Sequence, residues 1–158
     1  MTMETRTPRA EAKRPKENMT KQNGLYEYVK PLASLSAGML YLAQAGHEKL
    51  TINQAVFFLL VAAADARGSP LTLQEILENS DGALSPGIKN SYKALLEVNT
   101  RTSNERYALG WITREVDPND ERQKYLRLTK KGREVAMAVM LATGQLKPRH
   151  MGAEHELT

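Results

Sequence analysis

"GWITREVDPNDERQKYLRLTKKG", Gly110–Gly132, carries the only alternation in the chain that reads as paired strands. In "WITREV" Ile112 and Val116 fall on one face with Arg114 between them. In "KYLRLT" Leu126 and Leu128 point inward, and Tyr125 and Arg127 outward. Period-two alternation predicts strands. "DPND" between them is turn chemistry: Pro118 presets the second turn position, and Asn119 and Asp120 tolerate the rest. Asp117, Asp120 and Glu121 crowd this turn, yet arginines and lysines surround them.

The segments before the hairpin are helical. After Pro31, Leu32, Leu35, Met39 and Leu42 recur at 3-4-3 spacing and draw one apolar stripe within residues 25–46. Ala33, Ser34, Ala37 and Gly38 are small enough to admit a second helix, either of the same domain or of a second subunit. "TINQ" from Thr51 is a capping box and opens a helix to about Ala66, apolar nearly all round and so expected at the centre of the core. "TLQE" from Thr72 is a second box, opening a short helix that stops near "NSDG". Ser85 as N-cap and Pro86 as first helical residue predict a third helix over 85–97. Its apolar face is Ile88, Tyr92, Leu95 and Leu96; Lys89, Asn90 and Lys93 lie opposite, with Ser91 nearby. Short helix, turn and capped helix form a helix-turn-helix candidate, and a twisted hairpin after such a unit is a wing. The expected fold is mainly α with a small β-hairpin wing. It is a winged helix-turn-helix domain with an added N-terminal helix and a short C-terminal helix at about Lys130–Thr143. Residues 1–24 read as a disordered basic arm, 25–143 as the domain and 144–158 as a flexible tail. Residues 98–109 are polar and read as a basic loop, either a DNA-contacting excursion or a surface loop.

Charge is unevenly distributed. Residues 85–133 hold eleven basic against six acidic side chains, and residues 1–24 six against three, whereas 25–84 hold three against six. A basic block including the hairpin fits a polyanion partner; the alternative is a solvated surface of mixed charge. The chain has no Cys, which excludes disulfides and Cys-based zinc sites and makes a reducing cytoplasm the expected setting. His47, His150 and His155 are too scattered for a metal cluster. The longest apolar run, Ala55–Ala64, is ten residues, well short of the roughly 20 a membrane span needs. No nucleophile–base pair, carboxylate pair or phosphate-cradling Gly-rich motif stands out, so no enzyme and no cofactor is expected.

The run of "LTINQAVFFLL", "LTLQEIL" and "GWITREVDPNDERQKYLRLTKKG", about residues 50–137, resembles the multiple-antibiotic-resistance regulator (MarR) family of bacterial winged-helix proteins. The resembling hairpin elements are Gly-aromatic-Ile at the entry, the Asp-Pro-x-Asp-x-Arg tip and Leu-Thr-x-x-Gly at the exit. The resemblance implies a sequence-specific double-stranded DNA-binding regulator, expected to be a homodimeric, nucleoid-associated repressor. Helix 85–97 would lie in the major groove and the 117–123 tip in the minor groove. It implies that Arg122 reaches the minor groove and that Asp120 orients it. Ser85, Lys89, Asn90, Ser91 and Lys93 are the expected recognition residues, and Arg114, Lys124 and Arg127 the expected backbone contacts. The dimer is expected to use Leu32, Leu35, Met39 and Leu42 with Val135, Val139 and Ala142 of the C-terminal helix. Two features depart from the family pattern. The 98–109 loop intervenes between recognition helix and wing, as in members carried by phages and mobile elements, and the C-terminal region is short and polar. Relatives that sense small molecules leave an effector open here. The alternatives are a winged-helix protein-interaction or assembly module, and a plasmid or phage replication or partition protein.

Overall fold

The computed structural model describes residues 24–97 and 108–144. The expected arm, most of the 98–109 loop and the tail after Gly144 lie outside the described residues. A short 3-10 turn, Tyr26–Tyr28, leads into α1 (Val29–Ala45). α2 (Ile52–Ala66), α3 (Leu73–Asn79) and α4 (Ile88–Ser91) follow, and a 3-10 turn over Tyr92–Leu95 continues α4. The hairpin is β1 (Ile112–Val116) with β2 (Lys124–Leu128), and α5 (Lys130–Ala142) ends the domain. This is a winged helix-turn-helix fold with an added N-terminal helix.

Both capping boxes form. At Thr51 and at Thr72 the hydroxyl accepts the amide of the third helical residue, Gln54 or Glu75, whose side chain accepts the cap residue's own amide. α2 is central, with Phe57, Phe58, Val61 and Ala64 fully buried. Trp111 is fully buried too and packs its ring on Phe58 at 4.9 Å between centroids. Burying side chains of this size contributes about 1.5–3 kcal/mol each. Yet α2 is not apolar-buried all round: Ile52, Val56 and Leu60, at i, i+4, i+8, remain exposed.

The hairpin is antiparallel, with Ile112 opposite Leu128, Arg114 opposite Leu126 and Val116 opposite Lys124. Ile112, Leu126 and Leu128 are buried as expected; Val116, near the tip, is exposed. Both edges of the hairpin are tied down. The Leu126 amide donates to the Leu71 carbonyl at 2.9 Å, just before α3, and Leu96 bridges Ile112 in parallel fashion.

The helix expected over 85–97 is shorter at both ends. Ser85 does not cap it; α-helix begins at Ile88 after Gly87, with no side-chain cap. At the other end, the chain returning at 109–111 takes over the closing carbonyls. Leu109, Trp111 and Gly110 amides donate to the Ala94, Leu95 and Leu96 carbonyls at 2.8, 2.8 and 3.2 Å. Leu96 is thereby drawn into extended backbone. The expected inward face holds nonetheless: Ile88, Tyr92, Leu95 and Leu96 are all buried.

The small residues of α1 receive a helix of the same chain. A Cβ at Gly38 would lie 2.7 Å from Thr143 Cγ2 and 3.4 Å from Val139 Cγ1, so α5 crosses α1 there at close range. This corrects the expected dimer face. Leu42, Val135 and Val139 belong to the domain's own core and Met39 packs against it, whereas Leu32 and Leu35 are left exposed. The stripe divides because α5 covers only the C-terminal half of α1.

Candidate nucleic-acid interface

α4 presents Lys89, Asn90 and Lys93 on its exposed side, with Ser91 half-buried and Ser85 exposed just before the helix. The wing stands beside it. Between the start of α3, α4 and the wing tip lies a cleft of about 670 Å³, lined by Thr72, Gln74 and Glu75 and by Lys89, Arg122 and Lys124. The fold thus brings Lys89 to two cations that lie more than thirty residues further along the sequence. Arg114 is exposed on β1, opposite Leu126.

The tip is built from its acids. The Asp120 amide donates to the Asp117 carbonyl at 3.3 Å, closing the turn around Pro118 and Asn119. Asp117 Oδ1 accepts the Asn119 amide at 2.7 Å, and its Oδ2 accepts the Tyr125 hydroxyl at 2.9 Å. Those donors, the Asn119 amide first and the Tyr125 hydroxyl next, hold the Asp117 carboxyl below its ordinary range. Reciprocally, Asp117 raises the Tyr125 hydroxyl above its ordinary value.

The Asp120 carboxylate meets residue 122 at its main chain. Its Oδ1 accepts the Arg122 amide at 3.0 Å, an Asx-type turn. Its charge is therefore engaged two residues on along the backbone, and among the described residues Asp120 and Arg122 form no ion pair.

Arg127 departs from expectation. Its guanidinium donates to Asp65 Oδ1 at 3.2 Å and its Nε pairs with Glu115. Asp65 Oδ2 also accepts the Leu128 amide at 3.2 Å. Glu115 first and Asp65 with it stabilise the charged form of Arg127. The residue is a joint between α2 and the wing, on the rim of a separate apolar cleft of about 750 Å³ walled by Leu59, Ala62, Met137 and Met140. Its partner, Asp65, lies 62 residues away in sequence, so local pattern could not reveal the pairing.

The exit of the wing is equally specific. The Thr129 hydroxyl accepts the Gly132 amide at 2.9 Å, capping α5, and donates to the Gly110 carbonyl at 2.6 Å. Gly132 sits against Trp111, where a Cβ would come within 1.9 Å of the Trp111 carbonyl oxygen. Leu-Thr-x-x-Gly is thus a lock between the end of the wing and its beginning.

Two residues outside the expected set stand beside α4. His47 and Lys49, in the turn between α1 and α2, line a smaller cleft of about 320 Å³ with Gln54, Asn90, Ser91 and Ala94. Their segment is net acidic, and nothing in the local sequence marked them. Among the described residues no group of three or more His, Cys, Asp or Glu could hold a metal ion, and no helix is long and apolar enough to cross a membrane.

No family model matches the chain, and no curated protein matches it. Among solved structures, overoxidized AbfR bound to DNA and reduced AbfR bound to DNA are similar to it. Each is 23% identical with a TM-score of 0.41, over 79% of this chain and 76% and 75% of theirs respectively. That degree of likeness concerns the general course of the chain alone.

Proposed function

We propose that this chain is a sequence-specific double-stranded DNA-binding transcriptional regulator of MarR type, from the phage or mobile-element branch, acting as a homodimeric repressor. The observation that carries the reading is the convergence of Lys89, Arg122 and Lys124 on one cleft beside the exposed Asn90 and Lys93 of α4. In this reading α4 and its 3-10 continuation lie in the major groove, where Lys89, Asn90 and Lys93 reach base edges or phosphate, with Ser85 and Ser91 at its margin. The tip enters the adjacent minor groove, whose negative potential favours Arg122. Arg114 and Lys124 contact backbone, which adds affinity without sequence choice. The exposed Leu25, Tyr28, Val29, Leu32 and Leu35 of the N-terminal segment form the dimer contact. A two-fold dimer implies half-sites about 10–10.5 bp apart or a multiple of that.

In vitro site selection from random duplex, with a mass measurement of free and bound protein, tests partner, symmetry and stoichiometry together. Arg122→Ala should weaken operator binding by about 1–3 kcal/mol at fixed salt and leave the urea midpoint unchanged. Unaltered affinity in an anisotropy titration would remove the wing from the mechanism. A second reading, a winged-helix assembly module, draws on the exposed row Ile52, Val56 and Leu60 of α2. A selection that enriches no site would favour it.

A further inference from the structure

α4 has two flanks, and the wing occupies one of them. On the other, the turn between α1 and α2 closes the cleft in which Lys49 and His47 stand with Asn90 and Ser91. This turn is rigidly set. The Gly46 amide donates back to the Leu42 carbonyl at 2.9 Å, and the Leu50 amide to the His47 carbonyl at 2.9 Å. A side chain at Gly46 would meet Leu50 Cδ2 at 2.6 Å, so the turn folds tightly over Leu50, which packs on the core.

The start of α2, directly after the turn, is tied to α4 and to the residues before it. Gln54, only 5% exposed, donates its side-chain amide to the Ser91 carbonyl at 2.8 Å while its Oε1 accepts the Thr51 amide at 2.9 Å. One residue earlier, Asn53 Nδ2 donates to Ser85 Oγ at 2.9 Å. A buried amide satisfied in this way is costly to break, because its partners are left unpaired. Lys49, exposed at the end of the turn, therefore stands on the same cleft as Asn90. Its cleft takes Asn90, Ser91 and Ala94, whereas the cleft of Arg122 and Lys124 takes Lys89.

We propose that Lys49 is a phosphate contact of the DNA-binding surface, on the strand opposite the one met by the wing-side cations. The inference rests on the reading of α4 as a major-groove element. A major groove about 12 Å wide is bounded by two sugar–phosphate backbones, so a helix seated in it has one on each flank. Lys124, on the wing side, serves one backbone, and Lys49 serves the other. An ammonium on a flexible stem suits this role, since it binds phosphate as a point charge without the planar geometry a guanidinium requires. The contact adds affinity for any sequence and holds α4 in register across the groove.

The experiment is an anisotropy titration of the full chain against its selected duplex and a scrambled duplex, over 50–200 mM salt. Lys49→Gln should weaken binding to both duplexes by the same factor. The slope of log K against log[salt] should fall by about 0.9 for each Lys49 engaged. That change in slope means the affinity ratio of the two proteins shrinks about 3.5-fold over the fourfold salt range. Lys49→Arg should retain the wild-type slope. A Lys49→Gln protein with the wild-type slope overturns the proposal, while the DNA reading stands on the wild-type titration. A wild type with no salt-dependent duplex binding overturns both.

Discussion

Replacing Gly132 by Ala sets two effects of opposite sign against each other. Gly132 lies in the first turn of α5, where its backbone is helical. Helix propensity alone favours Ala over Gly by about 1 kcal/mol. Packing opposes it: the new Cβ would sit 1.9 Å from the Trp111 carbonyl oxygen and 2.8 Å from its carbonyl carbon, against a practical limit near 3.0 Å. Backbone must therefore retreat by roughly 1 Å, an overpacking penalty of about 1–3 kcal/mol. That retreat strains three hydrogen bonds: Trp111 amide to Leu95 carbonyl, Thr129 amide to Trp111 carbonyl, and Thr129 hydroxyl to Gly110 carbonyl, at 2.8, 3.0 and 2.6 Å. Each contributes about 1 kcal/mol. Offsetting the propensity gain, the net loss is about 3 kcal/mol, or about 6–12 °C in Tm for a chain of this size. The assay is urea unfolding followed by fluorescence, and Trp111, the only tryptophan, is buried at the perturbed point. A lower midpoint at unchanged slope is expected. A loss under about 1 kcal/mol, or a gain, would refute the account of Leu-Thr-x-x-Gly as a steric lock.

Two further perturbations probe the two ends of the wing. Thr129→Val removes the α5 cap and leaves the Gly110 carbonyl and the Gly132 amide without their shared hydroxyl, so the urea midpoint should fall by about 1–2 kcal/mol. Tyr125→Phe takes one of two donors from Asp117, and a carbon-detected NMR titration should show that carboxyl moving up towards the ordinary range. It should stay below that range because the Asn119 amide remains. Since the folded carboxyl titrates below its unfolded value, its contribution to stability is present above the unfolded value and lost as pH falls through the folded one. For Tyr125, raised when folded, the contribution is present below the unfolded value and lost as pH rises through the folded one. An Asp117 titration identical in the two proteins would show that the hydroxyl does not hold the tip.

What was legible in the sequence is what short-range chemistry determines. Thr51 and Thr72 cap their helices because a hydroxyl and a carboxylate or amide three residues on satisfy each other locally. The hairpin register follows from alternation and from a turn that Pro118 presets. The length of α4 was not legible, because its C-terminal carbonyls are claimed by Leu109–Trp111, beyond an intervening polar segment. Ser85 resembles an N-cap in every local respect, but its hydroxyl is held by Asn53 of α2. The stripe on α1 is apolar by its spacing alone, while its division into a core half and an exposed half depends on where α5 crosses at Gly38.

The same distinction separates the cations of the hairpin, which by sequence alone look alike. Arg127 meets two carboxylates, Asp65 and Glu115, so its charge is largely compensated where it stands. Among the described residues Arg122 and Lys124 form no ion pair, although Asp117, Asp120 and Glu121 lie within seven positions of each. The reason is how two of those acids are engaged. Asp117 accepts the Asn119 amide and the Tyr125 hydroxyl, and Asp120 accepts the Arg122 amide, so each carboxylate is engaged by local dipoles. A carboxylate held by backbone amides shapes the turn without neutralising the neighbouring cation at contact distance, where a direct pair near the surface would be worth about 4 kcal/mol of Coulomb energy before solvation costs. The acidic tip therefore leaves the field of Arg122 and Lys124 directed into the cleft they share with Lys89. An acid-rich wing tip and a polyanion partner are compatible on these grounds, because the acids act on the shape of the turn and the cations on what lies outside it.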